Sequence, residues 1–243
     1  MRDLQTLLDK SAEQHHNHLC PRQVLGVRMG LYAGELFDLD LPPSDKRLCA
    51  FVETDGCLTD GIAVATGCWW GRRTMFLMDY GKTAATLVDT RTDRAIRIAP
   101  TRESRTRAAH YAPDAPDRWH AQLAAYQVMP TDELLCAQDV TLNVSLRALI
   151  GQHGGRVICE CCGEDIINER EVRVAGAVLC RACALGAYYA VNAIPSRLAA
   201  IASKLCSAAA TCTAGLSAPN RRTAMNAPSI NSKSWSASFA GSV

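Results

Sequence analysis

Apolar residues recur at helical spacing near the start of the chain. Over residues 2–14, leucines and an alanine fall on one face and predict an amphipathic helix. After a short polar turn, Pro21 suits the first position of a second helix that extends to about Phe37, because proline lacks an N–H that the first helical turn leaves unpaired. Cys20 would then be the N-cap of this second helix.

The second predicted helix carries a stripe of glycines at four-residue intervals, Gly26, Gly30 and Gly34. Each glycine costs ~1 kcal/mol of helix propensity relative to alanine. Such a stripe predicts that another backbone approaches this face closely. The approaching segment could belong to the same chain or to a second copy across a dimer interface.

The rest of the apolar pattern alternates irregularly between strand and helix spacing. Strands are predicted at 47–54, 74–80, 84–89 and 94–99, and helices at 57–66 and 117–128. This order predicts an α+β fold, with a mixed sheet packed against helices over residues 1–150. A small zinc-finger module is predicted over 155–194, and a low-complexity basic tail over 195–243 is expected to be disordered.

Composition narrows the class of protein. Of the 243 residues, 48% are apolar and 21% are charged, which excludes wholesale disorder and fibrous chains. The longest weakly polar stretch, 182–194, is shorter than the ~18 residues of a membrane helix, and no signal sequence is evident, so we expect a cytoplasmic protein without membrane contact. No acidic residue follows Glu171, but a solvated extension explains this basic end better than nucleic-acid binding.

Two CxxC pairs near the end of the globular part, Cys159 with Cys162 and Cys180 with Cys183, predict a closed four-thiolate zinc site. A hairpin is predicted between the pairs and a helix from the second pair onward. This layout resembles a treble-clef finger of the DksA/TraR type. Cys161 is a fifth cysteine that could replace a neighbour as ligand, although the CxxC register disfavours it. A closed site of this kind holds a module together.

A second group of metal-binding residue types lies near the N-terminus. His16, His18 and Cys20 follow one another at two-residue steps, which lets their side chains converge in an extended segment. Cys20 at a helix N-cap would experience the positive end of the helix dipole, which favours the thiolate. Farther on, Cys57 and Asp60 share one face of a predicted helix. Spacing alone leaves a metal or thiol site and a polar surface turn both open.

The motifs themselves show a resemblance. The segments HHNHLCPRQVLGVRMG, ETDGCLTDGIAVATGCWWG and DYGKTAAT resemble, in order, three motifs of the FmdE family, which takes its name from formylmethanofuran dehydrogenase. The CxxCGE segment resembles the C-terminal zinc module of some members, so the resemblance covers roughly residues 10–190. Asn17 stands where the family motif has glycine between two histidines, and Arg22 stands where glycine usually follows the proline.

The resemblance implies an α+β core with a metal or thiol site, usually in a homodimer. By position, His18, Cys20 and Cys57 become the metal ligands. His16, Asp60, Cys68 and Lys82 line the site. Zinc is expected in the finger, and a second ion, zinc or another transition metal, in the core site.

Three functions remain open at this point. The first is an accessory factor that handles metal or sulfur for a molybdenum or tungsten enzyme such as formylmethanofuran dehydrogenase. The second is a small metal- or thiol-dependent enzyme, in which Cys20 or Cys57 is the nucleophile and Lys82 stabilises an anionic intermediate. A weaker third is a zinc-finger regulator that binds nucleic acid.

Overall fold

The computed structural model describes residues 3–151 and 154–190. The described residues divide into two compact units, 3–146 and 147–190. The predicted domain boundaries near residue 150 stay a prediction. The predicted disordered tail, 195–243, lies outside the described residues, as do the last positions of the predicted finger.

The first unit contains six helices and five strands among its described residues. The helices are α1 (Leu4–Glu13), α2 (Pro21–Phe37), α3 (Cys57–Thr66), α4 (Ser104–Tyr111), α5 (Arg118–Val128) and α6 (Thr131–Leu134). The strands are β1 (Leu48–Val52), β2 (Met75–Leu77), β3 (Ala85–Asp89), β4 (Ala95–Pro100) and β5 (Leu135–Val140).

The five strands form one mixed sheet in the order β2-β1-β3-β4-β5. β1 and β2 are parallel, and the other neighbours are antiparallel. Alternate residues of the central strands, such as Ala50, Leu87 and Ile96, point to one face and join the hydrophobic core with α2 and α3. The predicted α+β class is confirmed. No helix in the described part of the chain is both long and apolar enough to cross a bilayer.

The glycine stripe of α2 packs within the chain. A Cβ atom built on Gly26 would lie 2.2 Å from the Leu58 carbonyl oxygen of α3, and one built on Gly61 of α3 would lie 2.3 Å from the Gln23 carbonyl oxygen of α2. Neither position has room for a side chain, so the two helices touch backbone to backbone. Gly30 packs in the same way against Ala65. The intramolecular interpretation of the stripe is confirmed.

Two elements were not predicted, and one was predicted too long. α4 lies where the sequence suggested only an exposed arginine-rich strand, and β5 pairs with β4 along its whole length. The strand predicted at 74–80 ends at Leu77, and the chain then continues as a loop to Ala84.

The second unit is small. The helix α7 (Leu146–Gly151) spans the division between the units. After it come two hairpins and a short helix: β6 (Arg156–Ile158), β7 (Asp165–Ile167), β8 (Val172–Val174), β9 (Ala177–Leu179) and α8 (Arg181–Leu185). The hairpin predicted over 171–179 and the helix predicted from Arg181 are both confirmed.

Candidate metal and thiol site

Cys20 and Cys57 meet where two helices begin. Cys20 is the N-cap of α2, Cys57 is the first residue of α3, and the two sulfurs are in hydrogen-bonding contact. The backbone contact at Gly26 and Gly61 explains the proximity, because it holds the first turns of both helices side by side. The sequence prediction that these cysteines share a site stays a prediction about function, but the structure brings them together.

A buried glutamine fixes the position of Cys20. The Gln23 carboxamide oxygen accepts the Cys20 N–H at 2.7 Å, and its amide nitrogen donates to the backbone oxygen and the hydroxyl of Ser11 in α1, at 3.1 and 3.2 Å. Both Gln23 and Ser11 are fully buried. The cysteine is therefore tied to two helices by one side chain whose polar atoms are all used.

The loop before Cys57 relies on a glycine. Gly56 adopts φ +77° and ψ −153°, a backbone conformation that is almost restricted to glycine. The Thr59 hydroxyl donates to the Thr54 carbonyl oxygen at 2.8 Å and closes the loop from its other side. This turn directs the chain out of β1 and places Cys57 at the start of α3.

Glu53, at the end of β1, joins this loop to the neighbouring one. Its carboxylate accepts two hydrogen bonds from Arg97 of β4, at 2.6 and 2.9 Å. Its backbone oxygen accepts N–H groups from Tyr80 and Lys82, at 3.0 and 3.1 Å. The Lys82 side chain is exposed, with its ammonium 5.8 Å from the centre of the Tyr80 ring. The predicted catalytic lysine therefore has its backbone anchored and its ammonium at the surface.

The histidines near Cys20 take different positions. The His15 Nε2 atom lies 3.0 Å from a carboxylate oxygen of Asp60, which is one turn after Cys57 on α3. The His18 ring is exposed and stacks on Trp119, with ring centres 5.9 Å apart. His16 is exposed. The structure therefore brings Asp60 and His15 to this region and directs His18 toward α5.

Burial raises the pKa of Cys57, and the hydrogen bond and charge of Cys20 add to the effect. Arg22 lowers this pKa and Asp60 raises it further, so the net shift is upward. Two neighbouring sulfurs in this environment can both be ionised only when a cation compensates their charge.

Cys68 lies away from this pair. It follows the last turn of α3, at the end opposite Cys57, and ten helical residues separate the two ends by about 15 Å. Its thiol is buried and donates to the Leu48 carbonyl oxygen at 3.3 Å. The neighbouring Cys49 is fully buried, and burial followed by the proximity of Cys68 raises its pKa to about 12. These two thiols belong to the core.

The second unit gathers four cysteines. The sulfurs of Cys159, Cys162, Cys180 and Cys183 all lie within 4.8 Å of one another. The sulfurs of Cys162 and Cys180 are 3.9 Å apart, close to the edge of about 3.8 Å expected for tetrahedral ligands with metal–sulfur bonds of ~2.3 Å. The donor set thus fits a tetrahedral thiolate-binding ion. Within residues 3–151 and 154–190, this is the only group of three or more histidine, cysteine or acidic ligands that meets this distance.

The four sulfurs differ in their surroundings. Burial alone would raise the pKa of Cys159, but backbone N–H groups, including those of Cys162, Cys180 and Cys161, point at its sulfur and lower the pKa to about 6. Cys183 is exposed, and hydrogen bonds from neighbouring sulfurs, that of Cys180 foremost, raise its pKa. The cluster therefore has a buried, thiolate-favouring side and an open side.

With this geometry established, comparison with known proteins is informative. The family described as "FmdE, Molybdenum formylmethanofuran dehydrogenase operon" matches residues 15–136, a segment that contains Cys20, Cys57 and Lys82. The chain belongs to the FmdE family.

Two further relatives support the placement of this FmdE chain. A crystal structure of an FmdE-like protein of tungsten formylmethanofuran dehydrogenase from Syntrophus aciditrophicus matches with a TM-score of 0.52 and 20% identity. The match covers 78% of this chain and 96% of that one, and it supports the fold. A probable S-adenosyl-L-methionine-binding protein from Archaeoglobus fulgidus is 37% identical over 90 residues. That match covers 36% of this chain and spans only 25% of the relative's length.

Membership in the FmdE family also clarifies the departures from its first motif. Asn17 occupies the glycine position of that motif and adopts φ +61°, a left-handed conformation that asparagine tolerates better than most residues. The turn can therefore retain a glycine-like shape. His15 was missed by the sequence analysis, although it lies in the same histidine run and at the first matched position of the family. Its contact with Asp60 depends on how the turn folds back on α3.

Proposed function

We propose that this FmdE-family protein is an accessory factor for molybdenum or tungsten enzymes that holds a metal ion, or sulfur to be transferred, between Cys20 and Cys57. The contact between the two sulfurs at adjacent helix N-termini carries this proposal. Both thiols are free, and a cation is the simplest way to stabilise both as thiolates. The expected homodimer and the partner enzyme belong to the same proposal.

In the proposed site, Cys20 and Cys57 supply soft sulfur ligands, and Asp60 supplies a carboxylate or orients a ligand from one turn away. His18 becomes a ligand only when its ring leaves Trp119. Because no third ligand atom in the described chain meets the distance set by the four-cysteine cluster, the site has room for a water or an exchangeable group. An exchangeable position suits metal or sulfur transfer better than structural binding.

The four-cysteine cluster has a separate part in this proposal. Its closed set of sulfurs supports structural zinc, with Cys159 as the buried ligand. Zinc there would stabilise the second unit without taking part in chemistry. The protein would then bind two ions of different kinds, one closed and structural, the other open.

The test is metal stoichiometry in the full-length chain. Cys162→Ala disables the four-cysteine cluster, and this variant should still bind cobalt or zinc at the remaining site. Adding Cys57→Ser should abolish that binding, whereas adding Cys136→Ser, which changes an exposed cysteine of β5, should leave it unchanged. A folded Cys162→Ala protein that binds none of zinc, cobalt and nickel on titration would contradict the proposal.

The accessory role needs a separate measurement. In cells that make a molybdenum or tungsten enzyme but lack this chain, wild-type protein should restore the enzyme's metal content and Cys57→Ser should not. Turnover of a small molecule by the purified protein, lost in Cys57→Ser, would instead support the enzyme alternative. In that case Lys82→Ala should also slow the reaction.

A further inference from the structure

A fifth thiol adjoins the four-cysteine cluster. Cys161 is exposed, and its sulfur is in hydrogen-bonding contact with the sulfur of Cys183. Its backbone N–H points at the sulfur of Cys159. The side chain of Cys161 thus lies beside the cluster, while its backbone belongs to the turn that builds the cluster.

The contact falls on the open side of the cluster. Cys183 and Cys162 are exposed, whereas Cys159 is only 1% exposed and receives N–H groups from its own loop and from Cys180. A small molecule approaching from solvent can therefore reach Cys161 and Cys183. Cys159, on the far side, is shielded by the backbone.

The two sulfurs also differ in chemical availability. When the four cysteines bind an ion, their thiolates are engaged in metal–sulfur bonds. Cys161 is outside that set and can react without first breaking such a bond. It is therefore the thiol at the cluster that can attack an external disulfide most directly.

We propose that Cys161 is the entry point for thiol–disulfide exchange at this cluster, so that a small external disulfide such as oxidised glutathione converts Cys161 and Cys183 to a disulfide and releases the bound metal. The inference is independent of the proposed role of Cys20 and Cys57. It assigns to the second unit a redox-sensitive metal site whose sensing residue is not itself a ligand.

The reaction balances as two exchange steps. Cys161 loses its proton and attacks one sulfur of the external disulfide, whose S–S bond breaks to give a mixed disulfide and one thiolate. The Cys183 sulfur then attacks the Cys161 sulfur, a new S–S bond forms, and the second external thiolate leaves. The external disulfide is reduced to two thiols, which take up the Cys161 proton and one proton from water. The metal, left with three ligands, dissociates.

The experiment uses full-length protein purified with zinc under reducing conditions and then freed of reductant. Oxidised glutathione is added, zinc release is followed with a chromogenic zinc indicator, and disulfides are located by mass spectrometry after alkylation. Wild type should release zinc while a Cys161–Cys183 disulfide forms, and dithiothreitol with added zinc should reverse both changes. Cys161→Ser should slow release about tenfold or more, because the attack must then begin at a metal-bound thiolate.

Two controls make the outcome decisive. Cys136→Ser removes an exposed thiol outside the cluster and should behave as wild type. Brief treatment of wild type with limiting iodoacetamide should label Cys161 before any of the four ligands, which tests the idea even if Cys161→Ser folds poorly. Wild-type release rates in Cys161→Ser, or a first disulfide that excludes Cys161, would overturn the proposal. In protein that carries no zinc, the identity of the first disulfide alone decides between the same two outcomes.

Discussion

Glu53 and Arg97 form a two-pronged ion pair across the sheet, in which both carboxylate oxygens accept guanidinium N–H groups while the Glu53 backbone oxygen accepts the N–H groups of Tyr80 and Lys82. One residue thereby fixes the turn that leads to Cys57 and the loop that carries Lys82. The carboxylate is nearly buried, with a side-chain exposure of 8%.

Breaking this pair should be costly. Glu53→Gln leaves the Arg97 guanidinium without its charged partner, and we expect a loss of about 3 kcal/mol in the free energy of unfolding, measured by urea denaturation. Arg91→Ala is the matched control, because it breaks an ion pair of 2.8 Å with Asp45 that is exposed to water, and it should cost about 0.5 kcal/mol or less. Equal effects of the two substitutions would show that the buried pair has no special role.

The interior face of α2 and α3 gives a second prediction. Gly26→Ala places a methyl group against the Leu58 carbonyl oxygen and should destabilise the protein by about 2 kcal/mol or more, despite the better helix propensity of alanine. Gly71→Ala, at a position with no atom within 4 Å of the added Cβ, should be close to neutral. The two melting temperatures, recorded side by side, test the contrast. A neutral Gly26→Ala would mean that the helices can separate freely.

Acid should weaken the fold through Asp89. Hydrogen bonds from Arg47, at 2.7 and 2.9 Å, hold the pKa of Asp89 at about 2 instead of its ordinary 3.8. Because the folded-state pKa is the lower one, this stabilisation is complete above about pH 4 and is lost as the pH falls toward about 2, where the folded state also binds the proton.

Asp89→Asn tests this pH dependence. It should cost about 2 kcal/mol at pH 7, and its deficit relative to wild type should shrink between pH 5 and pH 3, as followed by urea denaturation at several pH values. Asp139→Asn provides the control, since that carboxylate is 72% exposed beside Arg94 and should change little at any pH. A deficit that stays constant down to pH 3 would show that Asp89 is not the titrating group.

Removal of the cluster metal should act locally. Cys162→Ala, or treatment of wild type with a strong chelator, should make residues 154–190 sensitive to protease, because structural zinc in small modules contributes ~10 to 16 kcal/mol of apparent binding energy to folding. The urea transition of the first unit should be unchanged. Retention of both zinc and protease resistance in Cys162→Ala would remove the four-cysteine assignment.

Much of the fold was predictable because its signals are local. The spacing of apolar residues and Pro21 indicated α1 and α2, and the glycine stripe indicated the close contact with α3. β5 was missed because its exposed Gln138 and Asp139 interrupt the apolar alternation, and its place is set by pairing with β4. α4 was missed because only Ser104 and Ala108 are buried, which leaves almost no amphipathic pattern.

The site was predictable in part, for the same reason. Motif order and helix starts indicated Cys20 and Cys57, whose proximity the structure shows. The contacts of His15 with Asp60, and of Glu53 with both loops, join residues more than twenty-five positions apart, and no spacing rule reports such contacts. The position of His18 against Trp119 likewise depends on how α5 packs beside α2.

The glycine contact between α2 and α3 also sets a limit on sequence change. Glycine has no smaller replacement, so any substitution at Gly26 or Gly61 can only move the two helices apart. The separation between the Cys20 and Cys57 sulfurs therefore already sits near the minimum that this architecture permits. Variation along a lineage could enlarge the opening between these sulfurs, and with it the size of whatever they hold, but could hardly reduce it.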